Sequence, residues 1–304
     1  MAEKAWQGAL VKGFIKFLSW LPLGLARSLA IIFAYLNWWF PNESKRTIKA
    51  NLKTAFPALN IKQRQFLVKQ NLIATSQTFS ELGAMWCWHK TKLLPLIKQV
   101  SGEEHLQAAL AREKGVIFIA PHMGNWELIG PYLSASYPST FLYRPPNVAS
   151  IENFMVESRG RFGAELAPTD GRGVRKLMKA LKSQQVTVIL PDQDPGKTGG
   201  VYAPFFDYPA RTMTLLSKLK KQTDTSLVAV VMQRLSGLNA GYHLHFLSVP
   251  EEVGSQDVHI ATEALNRVVE DCVRIAPEQY LWSYKRYRKP PQGYKNIYKA
   301  NLKE

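Results

Sequence analysis

Gly115-Val-Ile-Phe-Ile-Ala-Pro-His-Met-Gly-Asn-Trp-Glu127 decides how this chain is read. Val116-Ile-Phe-Ile-Ala120 is an apolar run closed by Gly115 and Pro121, the pattern of a buried strand. His122 follows at the strand end, Gly124 loosens the backbone, and Trp126 to Tyr132 resumes at helix-like spacing. Residues just past a strand end, held by a rigid scaffold, are well placed for chemistry. On one regular helix, positions i and i+5 diverge by about 140°. His122 and Glu127 therefore meet only if His122 lies in the turn and Glu127 in the first helical turn. There the carboxylate accepts from one imidazole nitrogen and leaves the other as a base. Alone, the pair fits a loop histidine and a solvated glutamate better; the surrounding sequence reverses that reading.

From Gly115 onward, strands at 116–120, 139–143, 164–167, 186–190, 226–234 and 242–249 alternate with helices near 125–135, 149–162, 171–183, 212–221 and 256–275. The alternation predicts an α/β domain with a mostly parallel central sheet flanked by helices, whose ligands gather beyond strand carboxyl ends. His122, Arg144 and Asp192 each stand at such an end and converge on one cleft. Residues 44–112 read as helices instead. In Tyr143-Arg-Pro-Pro-Asn147 the prolines forbid a continuing central strand, so Arg144 projects from a rigid turn with a fork suited to phosphate or carboxylate. In Ser158-Arg-Gly-Arg-Phe-Gly163, Arg159 and Arg161 sit near a helix C-terminus, where capping competes with anion binding. Asn125, Arg144, Arg159, Arg161 and Asp192 form the candidate substrate-binding set.

Pro191-Asp-Gln-Asp-Pro-Gly-Lys-Thr-Gly-Gly200 allows three readings. Gly196-Lys197-Thr198 lacks the earlier glycine and following helix of a phosphate loop. Asp192-x-Asp194 has the form of a divalent-metal pair. The preferred reading has these carboxylates ordering the cleft by pairing with arginines, Asp192 being nearest the strand end. His243-x-His245 lacks a recognisable third metal ligand; His89, His105 and His259 read as solvated. No metal is expected. A Gly-x-Ser-x-Gly elbow is absent, which argues against an ordinary serine hydrolase. The tail Tyr280-Leu-Trp-Ser-Tyr-Lys-Arg-Tyr-Arg288 interleaves aromatic and basic residues and alone fits single-stranded nucleic acid or a membrane surface.

The chain has 304 residues and a formal charge of +16 from 39 basic and 23 acidic residues, which points to anionic partners. Cys87 and Cys272 are too few and too far apart for a disulfide framework or zinc cluster, and read as reduced thiols. Phe14 to Phe40 is apolar apart from Lys16 and Arg27. Leu21 to Phe40 approaches bilayer length, although Pro22, Gly24 and Arg27 weaken it as a spanning helix. Trp38, Trp39 and Phe40, then Lys45, Arg46 and Lys49, form an aromatic belt with a basic flank, placing later residues in the cytoplasm. Residues 1–42 are thus expected to be an N-terminal membrane anchor and 43–304 the catalytic domain.

Taken in order, HMGNWE (122–127), YRPPN (143–147), SRGRFG (158–163), PDQDPGKTGGVYAPFFDYPARTMT (191–214) and YLWSYKRYRKPPQG (280–293) resemble the lipid A late acyltransferases, within the lysophospholipid acyltransferase group and its H-x4-D/E motif. The resemblance covers essentially the whole chain. It implies transfer of a fatty acyl chain from an acyl carrier protein thioester to a hydroxyl of a lipid A precursor, at the cytoplasmic face of the inner membrane. His122 matches the base and Glu127 its acidic partner. No cofactor is implied beyond the carrier-linked donor. Expected partners are the carrier protein, the lipid A precursor and an anionic membrane surface, not nucleic acid. The alternative within the superfamily is a phospholipid or glycolipid acyltransferase using coenzyme A thioesters.

Overall fold

The computed structural model describes residues 5–146, 148–196 and 199–300. Four helices come first: α1 (Ala5–Trp20), α2 (Leu23–Trp39), α3 (Glu43–Ala55) and α4 (Ile61–Cys87). Asn42 and Asn60 start α3 and α4 because their side chains accept the backbone N–H three residues on. Gln63 returns the bond to Asn60 and completes a capping box. There follow α5 (Lys90–Leu93), β1 (Ile97–Ser101), α6 (Glu103–Leu110), β2 (Val116–Ile119), α7 (Ile129–Ser134), β3 (Thr140–Tyr143), α8 (Glu152–Gly160), β4 (Glu165–Pro168), α9 (Gly171–Lys182) and β5 (Val186–Ile189). The chain continues with β6 (Gly200–Phe205), β7 (Tyr208–Met213), α10 (Leu215–Thr223), β8 (Ser226–Arg234), β9 (Tyr242–Leu247), α11 (Val258–Ile275) and α12 (Ile297–Ala300).

The central sheet runs β1-β9-β8-β2-β5, and only the β8/β9 pair is antiparallel. Every residue of β2 is buried, so apolar side chains face layers on both sides of the sheet, as its unbroken hydrophobic run requires. β3 and β4 form a parallel pair joined to β5 through a bridge between Ser139 and Val186. The carboxyl ends of β2, β3 and β5 consequently open on one side.

Three departures have local causes. β1 interrupts the expected helical stretch 44–112; three of its five residues are exposed, so no alternating pattern marked it. The β6–β7 hairpin was also unmarked, because Phe206 and Asp207 turn it with φ of 47° and 59° and no glycine is present. Aromatic packing holds that turn: Phe206 lies 5.1 Å from Phe56 and 5.8 Å from Trp282, centroid to centroid. The helix expected at 125–135 is a 3-10 turn at Trp126–Leu128 followed by α7, and the one expected at 212–221 begins only at Leu215.

α1 and α2 pack on α4. Gly83 permits the crossing, since a Cβ there would lie 2.4 Å from Ser19 N. Arg27, expected to weaken a membrane span, is fully buried, and its Nε donates to Glu81 of α4 at 2.6 Å. The outer faces of the two helices expose Trp6, Leu10, Phe14, Phe17, Trp20, Ile32, Phe33 and Trp39. Among the described residues no single helix is long and apolar enough to cross a membrane; α2 and α3 pass such a test only as a pair bent by 83°. The basic-aromatic tail is core rather than surface, with Tyr280, Trp282, Arg286 and Tyr287 all buried.

Candidate active site

The turn after β2 is clamped from several sides. His122 N donates to Asp192 Oδ2 at 2.9 Å, and its carbonyl accepts from Leu281 N at 2.9 Å. Met123 pairs with Tyr280, and Gly124 N donates to Gln279 O at 3.0 Å. Gly124 is held at φ 56°, and a Cβ there would sit 1.9 Å from Met232 O, so side chain and backbone both exclude any other residue. Thr78 of α4 donates to the Gly124 carbonyl at 2.9 Å. Ordering the turn thus requires α4, β8 and the C-terminal tail together.

The His122 ring sits edge-on to Trp126, with centroids 5.2 Å apart. Its Nδ1 lies 2.7 Å from Asp192 Oδ1, and its Nε2 lies 3.3 Å from the Gln193 side-chain nitrogen. With Nδ1 protonated and donating to the carboxylate, Nε2 carries the lone pair, and the Gln193 amide donates to it. Burial alone would raise the Asp192 carboxyl, but interaction with His122 through charge and two hydrogen bonds, with Arg286 nearby, holds it below its ordinary value.

Glu127 is not the group that meets the imidazole. Its two oxygens accept from Arg159 Nη2 and Nε, the latter at 3.2 Å, and Trp86 Nε1 donates to Oε2 at 3.0 Å. Burial raises the Glu127 carboxyl, while the charge and hydrogen bond of Arg159, with Trp86 and His122, outweigh it and leave it lowered. Arg159 is accordingly an ion-pair partner, not an unoccupied anion site. Arg161 donates to the carbonyls of Ser158, Met85 and Trp88, closing the ends of α8 and α4 and lying outside the cleft lining. Burial pushes the Arg161 guanidinium down to about 10. Asn125 is buried away from the cleft, its Nδ2 donating to Glu81 Oε2 at 2.7 Å and Tyr242 Oη at 3.0 Å. Asp194 pairs with Arg288 at 2.8 Å, so the two carboxylates of Asp192-x-Asp194 serve different partners. Among the described residues no group of three or more His, Cys, Asp or Glu side chains is placed to hold a metal. Asn147, Lys197 and Thr198 lie outside the described residues.

Beside His122 opens a cleft of about 310 Å³, lined by His122, Glu127, Arg144 and Arg159 among apolar side chains that include Phe141, Leu142, Leu166, Val188, Leu190, Met213 and Leu215. Four of the sequence candidates, His122, Glu127, Arg144 and Arg159, do share this space, with Asp192 immediately behind the imidazole. Sequence reasoning missed Gln193, Trp86 and Trp126. Gln193 adjoins the aspartate at a strand end, the only signal that pointed to it. Trp86 comes from α4, remote in sequence, and nothing linked it to Glu127.

An imidazole oriented by a buried carboxylate beside an apolar cleft is the equipment of general-base transfer to a hydroxyl from a lipid-like donor. The chain belongs to the bacterial lipid A biosynthesis acyltransferase family, whose profile matches residues 2–289. It is 28% identical over 251 residues to the lipid A biosynthesis palmitoleoyltransferase of Escherichia coli (strain K12), covering 82% of this chain and 80% of that one. It is 26% identical over 279 residues to the lipid A biosynthesis lauroyltransferase of the same organism, covering 91% and 90%. A phosphatidylinositol mannoside acyltransferase of Mycobacterium tuberculosis matches at 28% over 145 residues, 46% of this chain and 45% of the relative.

Proposed function

We propose that this acyltransferase moves a fatty acyl chain from an acyl carrier protein thioester to a hydroxyl of a lipid A precursor, with His122 as general base and Asp192 as the group that orients it. The observation that carries the reading is the 2.7 Å contact between His122 Nδ1 and Asp192 Oδ1 at the wall of the apolar cleft. The acceptor hydroxyl oxygen attacks the thioester carbonyl carbon while Nε2 removes its proton. The C–S bond then breaks, the imidazolium returns the proton to the departing thiolate, and an ester and a thiol result. Asp192 fixes the Nδ1–H tautomer and stabilises the imidazolium. For lysine or arginine neighbours the role differs: Glu127 neutralises Arg159 and sets its guanidinium against the cleft, and Arg144, which has no side-chain hydrogen-bond partner among the described residues, is the cation offered to an anionic group of the acceptor. The exposed apolar face of α1 and α2 lies on the inner membrane, with the cleft toward the cytoplasm, where the acceptor and the carrier are both reachable.

Purified full-length protein is to be given carrier-linked acyl thioester and a lipid A precursor, and the products weighed by mass spectrometry. A mass increase of one acyl group that vanishes in His122→Ala supports the reading. Equal transfer from a coenzyme A thioester to a phospholipid, with none to the lipid A precursor, replaces it by the glycolipid or phospholipid alternative.

A further inference from the structure

Gln193 stands between the two aspartates of Pro191-Asp-Gln-Asp-Pro195, and the acid–base pair leaves it without a role. Both of its neighbours are anchored. Asp192 accepts from His122 N at 2.9 Å and lies 2.7 Å from the ring Nδ1. Asp194 accepts from Arg288 Nε at 2.8 Å and from Gly196 N at 2.9 Å, while its own N–H donates to Tyr284 Oη at 2.9 Å. Arg211 donates in turn to the Gly196 carbonyl at 3.1 Å. The flanking carboxylates therefore fix this loop to different partners on either side of Gln193. Between them the half-buried Gln193 side chain turns to His122, its amide nitrogen 3.3 Å from Nε2.

The protonation of the imidazole decides which end of the amide stands there. Nδ1–H is spent on Asp192, so Nε2 offers only a lone pair and faces the NH2 group rather than the amide oxygen. The contact is long and joins two neutral groups, which makes it easy to exchange. An acceptor hydroxyl must come within about 2.6–3.2 Å of Nε2 to give up its proton, and so takes the place the amide holds. The displaced NH2 group is then a donor without an acceptor, beside the reacting atoms, where an unmade hydrogen bond is costly. The acceptor that appears at that moment is the carbonyl oxygen under attack, two covalent bonds from the hydroxyl oxygen. Arg159, which lines the same cleft, already has its Nε and Nη2 taken by Glu127.

We propose that Gln193 is a further catalytic residue, the donor that stabilises the oxyanion of the acyl transfer, an assignment that rests on the reading of His122 as base. As the hydroxyl oxygen bonds to the thioester carbon, the carbonyl π pair moves onto oxygen, and that oxyanion accepts from Gln193 Nε2–H. The pair returns to the carbon–oxygen bond as the C–S bond breaks and the imidazolium protonates the thiolate. The amide keeps both its protons throughout. A donor already held in place needs no reorganisation as charge develops, which is where such groups lower a barrier most. Anchoring of Asp192 and Asp194 supplies that rigidity.

The test gives the purified full-length protein a lipid A precursor and either of two carrier-linked donors, the ordinary thioester or the dithioester in which C=S replaces C=O. Sulfur accepts hydrogen bonds weakly, so the dithioester draws little from an oxyanion donor. Gln193→Ala should lower kcat on the thioester by about 10²-fold, the lower end of the cost of one lost oxyanion donor, with both KM values unchanged. On the dithioester the same variant should stay close to wild type, so the rate ratio between the two donors collapses. Gln193→Glu keeps the length of the side chain but has no N–H, and should lose as much on the thioester as Gln193→Ala. Melting curves establish that each variant is folded. An equal fractional loss on both donors would overturn the oxyanion role and leave Gln193 a support for the imidazole; normal turnover by a folded Gln193→Ala enzyme would overturn it outright. His122→Ala, assayed alongside, separates the two readings. An inactive His122→Ala beside an unaffected Gln193→Ala removes only the oxyanion assignment, whereas an active His122→Ala removes the base and this assignment with it.

Discussion

Two buried carboxylate centres, built from similar parts, flank the turn after β2. Glu81 is wholly inaccessible and accepts from Arg27, Arg234 and Asn125, so both oxygens are saturated by groups from α2, β8 and the turn after β2. Burial raises its carboxyl, but Arg234 and then Arg27 overcome that and keep it lowered. Asp192 is almost as buried, yet its partner is an imidazole whose other nitrogen faces a cleft. The difference lies in where the chain of hydrogen bonds ends. At Glu81 it closes on itself and holds α2, α4, β8 and the turn together; at Asp192 it runs through an imidazole at the cleft wall, whose far nitrogen is met, among the described residues, only by the long 3.3 Å contact of the Gln193 amide, which a substrate hydroxyl can displace.

The sharpest way to break this contrast is to remove the reactive end. His122→Ala should lower turnover by about 10²- to 10⁴-fold with the thermal midpoint nearly unchanged. Asp192→Asn should approach that loss, since the amide preserves shape but no longer enforces the Nδ1–H tautomer. Single-turnover kinetics beside a melting curve decide it. A folded His122→Ala enzyme with near-normal turnover would assign the base elsewhere.

Glu81→Leu should do the opposite. Removing the carboxylate leaves Arg27 and Arg234 buried without their anion, which typically costs about 3–5 kcal/mol. Denaturant unfolding should register that loss, while turnover per folded molecule changes far less than in His122→Ala. If instead Glu81→Leu is stable but inactive, the cluster belongs to the chemistry and the contrast fails.

The contrast also explains what the sequence made legible. The strands of the central sheet other than β1 were readable because apolar runs between turn residues report burial, and β8 matches its expected range of 226–234. His122 and Asp192 were readable as polar residues at strand ends. Their pairing was not, because Glu127 is nearer in sequence and Asp192 is brought in by the parallel pairing of β2 with β5. Arg27 and Glu81 looked like an interrupted membrane span and an ordinary helix residue; a contact spanning 54 positions leaves no periodic trace. The family resemblance supplied H-x4-E as a unit, whereas the fold divides it between two ion-pair systems.

A titration distinguishes the centres less strongly but tests them together. Glu81, Glu127 and Asp192 all have folded-state pKa values below their ordinary 4.5, 4.5 and 3.8. In acid the unfolded chain therefore binds more protons than the folded one. The stability these groups contribute is fully present above the ordinary values and is lost as pH falls through the depressed ones. Thermal midpoints should stay level from neutrality to about pH 5 and fall below it. Glu81→Gln should start lower and have a shallower acid limb. An unchanged acid limb in that variant would mean that Glu81 takes up its proton equally readily in the folded and unfolded chain, contrary to its pairing with two arginines.

The smallest expected effect separates two arginines that sequence alone treated alike. Arg144 lines the cleft, whereas Arg161 spends its donors on the carbonyls of Ser158, Met85 and Trp88. Arg161→Ala should cost about 1–3 kcal/mol, since carbonyls at two helix ends lose a charged donor, and should leave acceptor KM unchanged. Arg144→Ala should show the reverse, a raised acceptor KM at unchanged stability, with Arg144→Lys recovering only part because an ammonium lacks two parallel donors. Measuring both quantities on both variants matters, because a stability loss alone can imitate a binding defect when part of the enzyme is unfolded. If Arg161→Ala raises acceptor KM at a temperature where it is fully folded, its helix-closing bonds are not its main role, and the anion-site reading returns.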